Sequence, residues 1–198
     1  MRLPNSEHES HRWRIAEIAP DFRLEDAWAL PAEGGADEFP ALVEVMASLD
    51  PTSGAPLVVR LLFGVRLAIG RVLGWDDDTE QRPIPGNAET TLHGRLPPDL
   101  RGSAAGPRLR TTSFTPLYRT EDEWVAELSN RTVHGLLQLV WVERGDGLWR
   151  GQMGVYVKPR GRLGELYMAA IAPFRHRIVY PALMAQIERA WNQRIAQR

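Results

Sequence analysis

The first clear hydrophobic pattern is an alternation between residues 20 and 31, which predicts a half-buried strand. Phe22, Leu24, Trp28 and Leu30 share one parity, and Asp26 falls on the same parity. A carboxylate on an apolar face has to be paired with a cation or protonated. Asp26 is therefore the first residue of this strand that calls for a specific partner.

Apolar residues then recur at helical spacing over residues 38–49 and again over 57–75, which predicts two helices after the first strand. The second stretch is apolar enough to suggest a membrane span, but Arg60, Arg66 and Arg71 interrupt it. Because arginine at the centre of a bilayer is costly, we predict a packed helix and no membrane span.

The stretch from residue 76 to 109 is rich in proline and glycine, and we predict an irregular excursion with a short strand at 90–96. It begins with the acidic triplet Asp76, Asp77 and Asp78. The triplet lacks the spaced oxygen ligands and the turn glycine of a calcium loop, so we interpret it as a solvated helix end.

Four strand-like segments follow, over residues 110–119, 123–131, 133–144 and 148–158. The sequence Gly145-Asp-Gly147 between the last two is typical of a hairpin turn. Alternation in the second and fourth segments predicts strands with one buried and one solvated face. The third segment is apolar on both parities from 133 to 142, which places it at the centre of an antiparallel sheet.

Residues 158–191 read as a polar turn followed by a long helical segment with one broad apolar face. Pro173 suits a first helical turn, and Pro181 predicts a bend because it removes one backbone donor. Only this segment is long enough to cover the apolar face of the sheet, and a helix laid on a curved sheet commonly leaves a pocket.

The predicted fold is α+β: a curved antiparallel sheet wrapped around a long C-terminal helix, with two helices inserted after the first strand. Residues 1–12 are polar and are predicted to form a flexible N-terminal segment, and residues 13–198 a single domain.

Three segments resemble a known family: DFRLEDAWALP at 21–31, MGVYVKP at 153–159 and IAPFRHRIVYP at 171–181. They resemble a bacterial family catalogued only as a domain of unknown function and related to the START-like, helix-grip (SRPBCC) superfamily. The resemblance extends from about residue 12 to 194. It implies a helix-grip fold with a deep apolar pocket, since members of the superfamily bind lipids, sterols, hormones or polyketides, and a minority are catalysts. The family defines no catalytic residue set.

Large apolar side chains and a few polar ones are the candidates for lining such a pocket. The candidate ligand-pocket residues are Trp28, Trp124, His134, Gln138, Trp149, Met153, Phe174, Ile178, Tyr180 and Met184.

Two histidines and one carboxylate are the residues considered for acid–base catalysis or ion pairing. His134 would serve as a general base if it faced the cavity, and the alternative is a strand-end histidine that is half exposed or bonded to the backbone. Asp26 is interpreted as a structural carboxylate held by Arg175 or Arg177, with catalysis as the alternative. His176 is interpreted as a solvent-side helix residue.

Composition excludes several classes of site. The chain has no cysteine, so disulfides, thiolate metal sites and cysteine nucleophiles are absent. The sequence has no metal-ligand spacing of histidines, no glycine-rich phosphate loop and no nucleophile elbow, so we predict no metal and no cofactor. The polar N-terminus lacks the apolar core of a signal peptide, which favours the cytoplasm.

Charge is unevenly distributed, because residues 1–50 carry 4 Arg against 11 Asp and Glu, whereas residues 158–198 carry 8 Lys and Arg against 2 Glu. The C-terminal cations alternate with apolar positions and form no continuous basic run, so we predict no nucleic-acid binding. The sequence does not predict an oligomeric state.

Three functional hypotheses remain open at this point. The first is a cofactor-free protein that binds a small hydrophobic or aromatic molecule beneath the terminal helix. The second is a cyclase- or hydrolase-like enzyme that acts in the same cavity. The third is an interaction module whose core is filled by side chains.

Overall fold

The computed structural model describes residues 1–49, 82–110, 112–145 and 147–197. Within them the protein is α+β, with an antiparallel sheet of six strands in the order β1-β2-β6-β5-β4-β3. The strands are β1 (Arg2–Leu3), β2 (Arg23–Gly34), β3 (Thr115–Arg119), β4 (Glu123–Ser129), β5 (Val133–Glu143) and β6 (Trp149–Pro159).

The helices lie on both sides of the sheet. The α-helices are α1 (Asn5–Glu9), α2 (Ile15–Ile18), α3 (Phe39–Ser48), α4 (Pro98–Arg101), α5 (Gly161–Phe174) and α6 (Tyr180–Ala196). Short 3-10 turns at Ala36–Glu38 and Leu92–Arg95 and a π-helical turn at Arg175–Val179 complete the described elements.

The four strands predicted after residue 110 are confirmed as the meander β3 to β6, and β5 lies between β4 and β6 as its apolar composition predicted. The hairpin between β5 and β6 turns on Gly145 and Gly147, whose φ angles are 85° and 77°. Glycine reaches these left-handed conformations without the steric penalty of a side chain.

Strand β2 is where the simple alternation fails. A bulge between Leu24 and Asp26 shifts the register against β6. Because an extra residue reverses the parity of every later side chain, Phe22 and Leu24 pack on one face of the sheet and Trp28 and Leu30 on the other.

The prediction that β4 and β6 each have one solvated face is wrong. Val125 on β4, and Gln152 and Tyr156 on β6, are buried on the face that was expected to meet water. Residues 13–22 and 84–100 cover this face and form one apolar core with it. We call it the outer face, and we call the face that carries α3 and α6 the helix face.

The N-terminal residues differ from the predicted flexible segment. β1 pairs with β2, Leu3 is 5% exposed, and His8 in α1 is fully buried. Since the segment 1–12 is otherwise polar, its sequence alone gave no sign of these contacts.

The C-terminal segment is helical, as predicted, but its irregular point differs. Pro173 lies inside α5, and Pro181 occupies the first turn of α6, where a missing N–H costs no internal hydrogen bond. The break in α-helical geometry is the π-helical turn at Arg175–Val179, before Pro181 rather than at it.

Of two other predictions, one is wrong and one lies outside the described residues. The short strand predicted at 90–96 is a 3-10 turn, Leu92–Arg95. The predicted helix at 57–75 and the acidic triplet Asp76–Asp78 lie outside the described residues.

Candidate functional site

A cavity of about 280 Å³ lies between the helix face of the sheet and α6. We call it the sheet–helix cavity. Its walls come from the end of α3, the segment leading into β3, strands β5 and β6, and the first turns of α6. The lining residues are Met46, Leu49, Leu109, Thr112, Phe114, Leu137, Met153, Val155, Val179, Tyr180, Ala182, Leu183 and Gln186.

The lining is almost entirely apolar. Among the described residues that line it, no side chain belongs to an aspartate, glutamate, lysine, arginine or histidine. Met46 and Met153 add flexible thioethers, which adapt to irregular ligands and make favourable contacts with aromatic ring edges. The cavity therefore suits an uncharged molecule, because a charged group would lose its hydration without gaining a partner among these residues.

Helix α6 and the turn before it supply this wall through ordinary helical spacing. Val179, Leu183 and Gln186 stand at i, i+4 and i+7, so they fall on one stripe. Trp191, further along α6, anchors the helix by donating an indole hydrogen bond to the carbonyl of Glu33 at 3.1 Å. The wall is thus held at a fixed position on the sheet.

Tyr180 connects the cavity to a buried carboxylate on β2. Its hydroxyl donates to Oδ2 of Asp26 at 3.0 Å, while its ring lines the cavity. Burial and the neighbouring Asp26 charge raise the pKa of Tyr180 far above its usual value, so the phenol stays protonated. Tyr180 therefore offers the cavity its ring and not a reactive phenolate.

Asp26 is fully buried and is surrounded by donors. Arg175 contacts Oδ2 at 2.8 Å, and Arg2 contacts Oδ1 at 3.4 Å. Of the two arginines that the sequence suggested, the structure pairs Arg175 with Asp26. A carboxylate with cations and a phenol around both oxygens is arranged for holding elements together rather than for accepting a substrate proton.

His176 was wrongly interpreted as a solvent-side residue. Its Nε2 lies 2.6 Å from Oδ1 of Asp26, and its side chain is 28% exposed. The π-helical turn brings Arg175, His176 and Tyr180 to the same carboxylate, a grouping that regular α-helical spacing did not indicate.

His134 and Gln138, two of the predicted pocket residues, lie on the outer face and cannot reach the cavity. His134 is fully buried, and its Nε2 lies 3.2 Å from Oε2 of Glu127. Burial opposes ionisation of Glu127, but hydrogen bonds from His134, from Thr91 and from the backbone of Leu92 outweigh it and lower the pKa of Glu127. This pair ties the 3-10 turn after Thr91 to the sheet.

Gln138 belongs to a second buried polar group, centred on His8. The two ring nitrogens of His8 lie 2.7 Å from Oε1 of Gln138 and 2.8 Å from Oε1 of Gln152. The amide of Gln138 donates in turn to Glu123 at 2.7 Å. Burial raises the pKa of Glu123, although hydrogen bonds from Gln138 and from the amides of Arg14 and Ile15 act in the other direction. The N-terminal segment is thereby fixed to the outer face.

The remaining predicted pocket residues divide into three sets. Met153 and Tyr180 line the sheet–helix cavity, whereas Met184 lines a separate cleft of about 300 Å³ beside Pro181 and Arg150. The other candidates lie outside the lining of either space: Trp28, Trp124, Trp149, Phe174 and Ile178.

Two of these tryptophans have structural contacts on the helix face. Trp124 donates to the carbonyl of Ala105 at 2.9 Å, and Trp28 packs on Tyr180 with ring centroids 4.8 Å apart. Neither lines the cavity, and Trp28 supports the wall through its contact with Tyr180.

Sequence reasoning missed several lining residues, of which Gln186 is the most informative. A polar residue at i+7 of an apolar helical stripe was a visible signal. The contributions of Met46 and Phe114 had no comparable signal, because they depend on how α3 and β3 approach α6 in three dimensions.

Among the described residues, no group of three or more histidine, aspartate or glutamate side chains is placed to hold a metal ion. No helix in the same ranges combines the length and apolarity needed to cross a bilayer.

Comparison with known proteins gives one match. A family model described as "Protein of unknown function (DUF2867)" matches residues 18–182, which is most of the chain. No curated protein and no solved structure matches the chain.

Proposed function

The chain belongs to the DUF2867 family, and from this premise we propose that it binds a small apolar or aromatic molecule in the sheet–helix cavity. One observation carries the proposal: a space of about 280 Å³ in which no charged side chain occurs among the described lining residues. A cavity of roughly 150 Å³ with a similar lining admits benzene in another protein, so this space suits a molecule of about two rings or a short alkyl chain.

Affinity would come from burial of the ligand's apolar surface. Burying roughly 200 Å² contributes about 5 kcal/mol before the costs of association are subtracted. A polar group in the lining would then orient the ligand rather than supply most of the binding free energy.

We also infer that the family is related to the START-like helix-grip superfamily. An antiparallel sheet, a long C-terminal helix and a cavity between them support this relationship. The sheet departs from a simple helix-grip in one respect, since residues 13–22 and 84–100 cover its outer face.

The two alternative functions, an enzyme and an interaction module, have less support. An enzyme in this cavity would need an acid or base that faces the ligand, but Tyr180 is committed to Asp26, and His134 lies on the outer face. An interaction module with a filled core is disfavoured by the cavity itself.

Native mass spectrometry of the protein purified from its own host tests the proposal. We expect a bound small molecule that is released when the protein is denatured. Apoprotein alone, which also fails to take up added naphthalene, would contradict the proposal.

A further inference from the structure

The cleft beside Pro181 differs in chemistry from the sheet–helix cavity. It has a volume of about 300 Å³, and most of the described residues that line it are apolar, among them Leu30 on β2 and Met184 on α6. Two residues of opposite charge also line it, Arg150 on β6 and Glu188 on α6. No described residue lines both spaces, so the cleft can be considered separately from the cavity.

Arg150 and Glu188 line the same cleft without pairing with each other. The side chain of Arg150 is 33% exposed, and its Nη2 contacts Oε1 of Glu33 at 3.0 Å. Because a guanidinium has five N–H donors, this one contact leaves others available for a second carboxylate. Glu188 is exposed and forms no ion pair with another described residue. Both side chains are therefore able to bind an opposite charge on a ligand.

A ligand with a single charge is poorly matched to this cleft. An anion would gain Arg150 but would also approach the carboxylates of Glu33 and Glu188, and like charges brought together reduce affinity. A cation would gain Glu188 but would approach Arg150. A molecule that carries one charge of each sign can satisfy both residues, and the apolar lining favours one with an apolar body.

We propose that the cleft beside Pro181 is a second binding site, which takes an apolar amino acid with its carboxylate on Arg150 and its ammonium group on Glu188. Arginine binds carboxylates through charge-assisted hydrogen bonds, often two in parallel. A cavity of roughly 150 Å³ admits benzene in another protein, so about 300 Å³ leaves room for an amino acid the size of leucine. The inference does not depend on ligand binding in the sheet–helix cavity.

Leucine and two analogues that each lack one charge test the site. The analogue 4-methylpentanoate lacks the ammonium group, and 3-methylbutylamine lacks the carboxylate. Each is titrated into the full-length protein while NMR follows the methionine methyl groups. We expect leucine to shift the Met184 signal saturably in the millimolar range, with the Met46 and Met153 signals unmoved. Leucine should bind about tenfold more tightly than either analogue, because each analogue loses a hydrogen-bonded charge pair.

Two variants assign the two charged contacts. Arg150→Gln should remove the advantage of leucine over 3-methylbutylamine, and Glu188→Gln should remove its advantage over 4-methylpentanoate. The controls are Arg162→Gln and Glu165→Gln, which change exposed charges on α5 outside the cleft and should leave both ratios unchanged.

The Arg150 variant should retain the local structure, because Glu33 keeps its ion pair with Arg144 at 2.6 Å. A third variant tests the location of the site. Met184→Trp fills the cleft and should abolish leucine binding, whereas Leu183→Trp fills the sheet–helix cavity and should retain it.

Two results would overturn the inference. The first is a Met184 signal that does not move at about 50 mM leucine, since a specific site should be occupied at that concentration. The second is leucine binding whose ratios to both analogues are unchanged in Arg150→Gln and Glu188→Gln. Neither result concerns naphthalene, so failure of the second site is distinguishable from failure of the proposed function.

Discussion

The hydroxyl of Tyr180 donates a hydrogen bond to Oδ2 of Asp26 over 3.0 Å, joining α6 to β2 across 154 positions of sequence. This bond holds the ring of Tyr180 in the wall of the sheet–helix cavity and points its hydroxyl away from the cavity. The same carboxylate binds Arg175 and His176 from the π-helical turn. The cavity wall and the buried carboxylate are therefore one structural unit.

Removal of the Asp26 charge should destabilise the protein strongly. Arg175 is only 12% exposed, so Asp26→Asn removes the nearer of the two carboxylates, Asp26 and Glu25, that pair with this largely buried cation. We expect a loss of about 3 kcal/mol in the free energy of unfolding, measured by urea denaturation. The matched control is Asp99→Asn, which breaks the exposed pair with Arg14 and should cost less than about 1 kcal/mol. Equal effects of the two variants would contradict a clamping role for Asp26.

Two buried glutamates on the outer face should affect the acid sensitivity of folding in opposite directions. The pKa of Glu127 is lowered, so its contribution to stability is present above the usual value of 4.5 and is lost as the pH falls. The pKa of Glu123 is raised, mainly by burial, so its contribution is present below 4.5 and is lost as the pH rises.

Glu127→Gln should therefore flatten the loss of stability on acidification, and Glu123→Gln should steepen it. Urea midpoints recorded from about pH 3 to pH 7 measure both slopes. Parallel curves for the two variants would show that the pKa values of Glu127 and Glu123 are not shifted in opposite directions.

The fixed position of His8 should make Gly154 sensitive to substitution. A Cβ atom at Gly154 would lie 2.7 Å from Oε1 of Gln138 and 2.9 Å from Nε2 of His8, both of which are fully buried. We expect Gly154→Ala to cost about 1–3 kcal/mol. Gly135→Ala is the control, because the nearest atom to its Cβ would be 3.8 Å away. If thermal unfolding shows that both variants are tolerated, the His8 network is looser than described.

Filling the cavity should abolish ligand uptake. Leu183 lines the sheet–helix cavity, whereas its neighbour Met184 lines the separate cleft beside Pro181. Leu183→Trp should thus eliminate naphthalene binding, and Met184→Trp should retain it, when both are titrated by calorimetry. Retention by Leu183→Trp would place the binding site elsewhere.

The sequence was a good guide wherever one local pattern decided the structure. Apolar residues on both parities predicted that β5 is central, and the glycines around position 146 predicted the β5–β6 hairpin. It was a poor guide where distant segments meet. The bulge after Leu24 reversed the parity of β2, so Phe22 and Trp28, which were predicted to share one face, lie on opposite faces.

The candidate site was predicted less completely than the fold. The long helix over a sheet led to a cavity, and Met153 and Tyr180 were among the residues named in advance. His134 and Gln138 were assigned to the cavity because inward and outward faces of a central strand cannot be told apart when both are buried. His8 gave no signal at all, since a polar segment looks solvated until a buried partner is known.

The five methionines of the chain allow the central claim to be tested within one sample. Met46 and Met153 line the sheet–helix cavity, whereas Met168 on α5 packs against Val133 and Val157, and Met184 lies in the other cleft. The measurement is a naphthalene titration followed by NMR of methionine methyl groups. We predict saturable shifts of the Met46 and Met153 signals with those of Met168 and Met184 unmoved; shifts confined to Met168 or Met184, or none at saturating naphthalene, would contradict binding between the sheet and α6.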